Sequence, residues 1–158
     1  MRISKHLSLK EATRSNTAAR MGVKNTPNAN QLSRMKMVAN IVFEPLRIGL
    51  GGHMIFISSF FRTWAVNKQM RGSSRSDHPK GQAMDLDADV FQIPGLTNLD
   101  IFNYIKDYLD FDQLIWEYSN PDGTPRWVHV SYRKGNNRKQ ILVSYKVHGK
   151  TKYKLYEN

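Results

Sequence analysis

The chain has 158 residues, a net charge of +11 and no cysteine. That length suits one domain spanning 1–158, with its own core, and the 40% apolar share excludes a disordered tail. The missing cysteine excludes a disulfide framework, every thiolate metal site and a thiol nucleophile, so any metal must be held by nitrogen and oxygen alone. The basic charge suits two polyanions, nucleic acid and a bacterial cell wall. No recognition helix, zinc finger or stacking-sheet motif accompanies it, so no nucleic acid is expected as partner. No apolar run reaches the roughly 18 residues of a membrane span, and residues 1–6 lack a signal-peptide core.

The elements read as follows. Ser8-Leu9-Lys10-Glu11 has capping-box form, with Leu7 before it, and predicts a short helix to Thr13. A second helix spans 16–21 and ends at Gly22, which can take a left-handed cap. Residues 25–30 form a polar loop. Leu32, Met35, Ala39, Val42 and Leu46 make one apolar stripe on a long helix, which Pro45 should kink or end. Gly49, Gly51 and Gly52 mark a turn. A buried strand at 53–58 and a helix at 64–70 follow, the latter closing at Gly72. After a polar loop, 83–88 alternates as a strand with Asp85 and Asp87 on one face. Residues 90–98 form a loop. Ile101, Phe102, Ile105 and Leu109 mark a helix capped by Thr97 or Asn98. Strands at 113–118 and 127–132 flank the turn Asn120-Pro121-Asp122-Gly123, and a hairpin around Gly149 joins 141–147 to 153–156. Helices lead and strands follow. The fold class is α+β, a small antiparallel sheet packed against N-terminal helices.

His78 and Asp85 bracket a glycine-containing loop and strand start, and His129 lies on an alternating strand, sharing a face with Trp127 and Ser131. If the two strands pair, two imidazoles and one carboxylate converge. That is the three-ligand set of a catalytic zinc with an open fourth position. Isolated histidines more often serve surface or core, and His6, His53 and His148 are read that way.

The pattern Ser76-x-His78-x-x-Gly81-x-Ala83-x-Asp85, followed by Trp127-Val128-His129, resembles the signature of the zinc D-alanyl-D-alanine carboxypeptidases. Their relatives include vancomycin-resistance D,D-dipeptidases and phage endolysins that cut L-Ala-D-Glu bonds, and the hedgehog signalling domain shares their fold. Phe61-Arg62, Asn67, Gly72-Ser73-Ser74 and the 111–117 segment extend the similarity to about 8–139. The resemblance implies a hedgehog/DD-peptidase-like fold and Zn2+ held by His78, Asp85 and His129. It places Ser76 beside the substrate. It makes Arg62 the group that binds a substrate carboxylate or polarises the scissile carbonyl.

One position departs. Many relatives carry an acidic general base three residues before the last ligand, where this chain has Arg126. Glu117, on the preceding strand, is the expected base. Asp122 in the turn is the weaker candidate. Asp87 is either a partner orienting a ligand or a solvated carboxylate. The expected function is a monomeric zinc metallopeptidase acting on peptidoglycan stem peptides, of carboxypeptidase or endopeptidase type. It would be made in the cytoplasm and act at the bacterial wall, as a phage lysis enzyme would. A zinc-containing binding module without catalysis is the alternative.

Overall fold

The computed structural model describes residues 1–157. The first helices begin where side chains cap them. In α1 (Leu9–Ala12) the Ser8 hydroxyl accepts the Glu11 N–H at 3.2 Å and the Glu11 carboxylate accepts the Ser8 N–H at 3.0 Å. Such a cap contributes about 1 kcal/mol. α2 (Asn16–Met21) closes on Gly22 at φ 65°. α3 (Ala29–Val38) starts inside the expected polar loop, because Asn28 and Gln31 cap each other reciprocally.

Pro45 does not end this helical segment. A π turn (Ala39–Phe43) leads into α4 (Glu44–Gly49), with Pro45 in its first turn. Proline has no N–H to return to the preceding turn, and the wider π turn absorbs that missing bond. The stripe Met35, Ala39, Val42 and Leu46 stays buried throughout.

β1 (Phe56–Ser59), α5 (Trp64–Gln69), β2 (Ala83–Asp87) and α6 (Asn98–Tyr108) follow, α6 capped by Thr97 and Asp100. β3 (Gln113–Ser119), β4 (Pro125–Ser131), β5 (Gln140–Val147) and β6 (Lys150–Leu155) complete the chain. The strands form a six-stranded sheet in the order β1-β2-β4-β3-β5-β6. Met84, Leu86, Leu114, Val128 and Val130 line its covered face, in one core with Met35, Val42 and Phe102. Each fully buried Leu or Val contributes about 1.5–3 kcal/mol.

The sheet is mixed, not antiparallel as expected: β3 and β5 run parallel. β4 ends with Ser131 beside Gln113, at the start of β3. The loop 132–139 then crosses the end of β3 to its free edge. A single reversal leaves β5 antiparallel to β4 and therefore parallel to β3. Asp112, 0% exposed, pins this crossing. Its carboxylate accepts the Arg138 N–H at 3.1 Å, Nε at 3.0 Å and Nη2 at 2.7 Å. Arg133 spans from Asp112, at 3.3 Å, to Asp77, at 3.1 Å. The last hairpin turns at His148 (φ 47°) and Gly149 (φ 75°). Positive φ at both central residues is the two-residue turn that matches strand twist.

Candidate metal centre

The motif loop is held from several sides. His78 opens a single 3-10 turn (His78–Lys80), which Gly81 closes at φ 73°. A Cβ on Gly81 would lie 2.6 Å from the Gln31 carbonyl oxygen of α3, so only glycine fits both the conformation and the space. The Gln31 amide also donates to the Pro79 carbonyl at 2.9 Å. Ser76 accepts the His78 N–H at 3.3 Å, so it shapes the approach to His78. Asp77 is buried and pairs with Lys80 at 2.9 Å and Arg133 at 3.1 Å. Burial pushes its carboxyl up, but Lys80 and Arg133 outweigh that and hold it below the usual range.

Antiparallel pairing brings the second and third groups together. Asp85 lies directly opposite His129 in the β2–β4 register. The Asp85 Oδ1 is 2.9 Å from His129 Nδ1, and its Oδ2 is 3.3 Å from His78 Nε2. The three groups each offer a ligand atom within 4.8 Å of the others. Tetrahedral ligands at about 2.0–2.1 Å from a zinc ion stand roughly 3.4 Å apart, so the cluster has the right scale. The donor chemistry fits as well. His78 Nδ1 lies 2.7 Å from the Phe60 carbonyl oxygen. A carbonyl only accepts, so Nδ1 carries the hydrogen and neutral His78 presents the Nε2 lone pair to the cluster. Burial holds the His78 imidazole below its ordinary pKa, and the neutral ring is the ligating form. Burial alone would push Asp85 up, but the two histidines outweigh it and keep the carboxylate ionised. Burial likewise opposes charge on His129, yet the Asp85 hydrogen bond raises its pKa on balance. A divalent cation can replace the proton shared between these groups.

Glu117 stands on the same face. Ile115 is opposite His129 and Glu117 is opposite Trp127, so Glu117 and His129 are diagonal neighbours. Glu117 is buried, and burial raises its carboxyl above the ordinary value despite a 2.6 Å hydrogen bond from Ser144. Arg62 follows β1 and donates through Nε to Asn67 at 3.0 Å and through Nη1 to Ser59 at 3.3 Å. Burial lowers its pKa, and the charges of Asp85 and Glu117 pull it back up. The guanidinium stays charged. A cleft lined by Arg14, Ser58, Ser59, Arg62 and Met70 opens beside it.

Other candidates stand apart. Asp122 is exposed and bonds the Thr124 N–H and hydroxyl, serving the turn. Asp87 orients no ligand: its carboxylate takes the Asn98 amide at 3.1 Å and the Asp89 N–H at 3.0 Å. Arg126 has the strand parity of Val128 and Val130, opposite to His129. His6 pairs with Glu44 at 2.7 Å, and His53 and His148 are exposed. Sequence reading missed Ser144 and the Phe60 carbonyl. The lone polar residue in the apolar run Ile141-Leu142-Val143-Ser144 is the one signal that could have marked Ser144.

No curated protein matches the chain. A family model described as peptidase M15 matches residues 5–131, a span that carries His78, Asp85, Glu117 and His129. Covering most of the sequence and the whole His78-Asp85-His129 cluster, that match makes this chain a member of the M15 family of zinc peptidases.

Proposed function

We propose that this protein hydrolyses an amide bond in peptidoglycan stem peptides, as a carboxypeptidase or endopeptidase. The single observation that carries the reading is the convergence of His78, Asp85 and His129 on a sheet face that also holds the buried Glu117. The fold is hedgehog/DD-peptidase-like, with 1–158 acting as one monomeric domain at the bacterial wall. The charge of +11 favours that polyanionic surface.

His78, Asp85 and His129 would hold the zinc ion. When bound, zinc supplies Lewis acidity, polarising a carbonyl and lowering the pKa of water toward ~7. Glu117 takes the proton of the attacking water and returns it to the leaving amine. Its raised pKa brings it nearer the pH at which it must both accept and give. Arg62 binds a substrate carboxylate or the carbonyl oxygen, through a charged planar fork. Ser76 lies beside the bound peptide while holding the His78 backbone.

A binding module without catalysis draws its support from Arg126, which stands where many relatives carry an acid. Arg126 is exposed and has the strand parity opposite to His129, while Glu117 on β3 shares the face of His129. This supports the enzyme. Mass spectrometry of muropeptides after incubation with the zinc-loaded protein should reveal one cleaved amide type, lost with chelator and restored with zinc. Unchanged muropeptides under all conditions would leave the binding module as the answer.

A further inference from the structure

We propose that the C-terminal hairpin β5–β6 forms the second wall of the substrate site, with Ser144 positioning Glu117 and Tyr153 binding the peptide. This rests on the peptidase reading. The family match ends at residue 131, before either strand of this hairpin.

The pairing register places the hairpin in the site. Trp127 is opposite Glu117, Glu117 is opposite Ser144, and Ser144 is opposite Tyr153. These residues form one row across four strands. The neighbouring row on the same face runs from Asp85 and His129 through Ile115 and Leu142 to Leu155. Strand alternation thus aligns Ser144 and Tyr153 with the carboxylate and beside the metal cluster.

Ser144 is 1% exposed and committed on both sides. It accepts the Tyr118 N–H at 3.1 Å and donates to Glu117 Oε2 at 2.6 Å. One carboxylate oxygen is therefore tied, and the other has no hydrogen-bond partner among the described residues. Tyr118 itself sits at φ 54° within β3, a left-handed conformation that costs a non-glycine residue free energy. Its contacts hold it there: the ring packs on Trp127 at 5.3 Å, and the hydroxyl meets Thr151 of β6 at 2.7 Å. Both strands of the hairpin are thereby bound to β3 beside the carboxylate, β5 through Ser144 and β6 through Thr151.

Tyr153 is 53% exposed, and its hydroxyl has no partner among the described residues. Burial of its other half and the nearby Glu117 and Asp85 charges keep the phenol protonated, as a donor. The edge strand separates its residue types. Lys150, Lys152 and Lys154 share one face, which blunts the edge against pairing, while Thr151, Tyr153 and Leu155 face the site. An amphipathic ring with a free O–H, beside a carboxylate row, suits a peptide backbone carbonyl packed along the sheet.

Binding and turnover test this separately. A disaccharide-pentapeptide muropeptide is titrated calorimetrically into zinc-loaded Glu117→Gln protein, in which turnover is slowed about 10²–10⁴-fold. Adding Tyr153→Phe should weaken Kd by about 3- to 10-fold, the loss of one hydrogen bond, and Tyr153→Ala should weaken it further. In otherwise wild-type protein, Ser144→Ala should lower kcat about 10-fold, because it displaces the base without removing it and so loses only part of the ~10²–10⁴-fold that the base contributes. KM and zinc content should be unchanged, and Ser144→Thr should restore the rate. Unchanged Kd in both Tyr153 variants, or an unchanged kcat in Ser144→Ala, overturns the assignment. If the Glu117→Gln protein binds no muropeptide, this inference and the peptidase reading fall together. If binding depends on Tyr153 but the wild type cuts nothing, Tyr153 stands as a wall of the peptide site, and the positioning role of Ser144 falls with hydrolysis.

Discussion

Replacing Glu117 by glutamine keeps the size of the side chain and an oxygen for Ser144 to donate to, 2.6 Å away in the native site. It removes the ability to take a proton at neutral pH. General-base catalysis contributes about 10²–10⁴-fold, so kcat should fall by that factor, or roughly 2.7–5.4 kcal/mol of barrier at 1.36 kcal/mol per tenfold. Zinc content should be unchanged, because Glu117 lies outside the three-residue cluster. Stability moves in the opposite direction. Burial raises the Glu117 pKa, so the folded state binds its proton more tightly than the unfolded chain does. The free energy of unfolding then falls as pH rises from about 4.3, the unfolded value, through the folded pKa, and stays lower above it. Glutamine does not titrate. Metal-free Glu117→Gln should therefore gain melting temperature relative to wild type at pH 8 compared with pH 4. Muropeptide turnover, metal analysis and melts at the two pH values check the three parts. Wild-type kcat would refute the base, and a variant-to-wild-type difference that is the same at both pH values would refute the burial argument.

Three further outcomes are expected. His78→Ala, Asp85→Ala and His129→Ala should each lose most of the bound zinc, and with it the rise in melting temperature that zinc brings by mass action; metal analysis showing full zinc in all three would remove the site. Gly81→Ala must take a side chain at φ 73° with a Cβ 2.6 Å from a backbone oxygen. It should destabilise by at least about 1–2 kcal/mol, the cost of the left-handed conformation alone, and a native melting curve would contradict this. Asp112→Ala removes the acceptor of the Arg138 bonds that pin the crossing loop, and should cost about 2–3 kcal/mol in denaturant melts. Burial pushes the Asp112 carboxyl up, but Arg138 and Arg133 hold it below its ordinary value. Its contribution is therefore present above about pH 3.9, the unfolded value, and is lost as pH falls through the folded one. Asp112→Asn should flatten that acid limb, and an unchanged limb would refute the linkage.

Local chemistry was legible in the residues. Ser8 with Glu11, and Thr97 with Asp100, cap helices because the partners lie within one turn. His78, Gly81 and Asp85 were readable as a unit because one loop and the next strand carry them. His129 could be joined to them because alternation assigns it a face. Glu117 shared that face by the same rule. Pairing between distant strands was not legible. Parallel β3 and β5 depend on a loop crossing one strand end, held by Asp112 with Arg133 and Arg138. Local pattern carries no direction, so an antiparallel sheet was the natural expectation. Ser144 and Tyr153 enter the site only through that crossing. Pro45 within an apolar stripe reads as a kink or an end, and the local pattern does not show that a π turn before it absorbs the missing bond and carries the helix on. The sequence by itself determined the local caps and the candidate His-Asp-His set, because the caps and the His78–Asp85 loop depend on neighbours a few residues apart and strand alternation gives His129 its face. The tertiary structure alone decided which strand edge the last hairpin joined, and so which side chains stand beside the carboxylate, because that choice is made by contacts between distant parts of the chain.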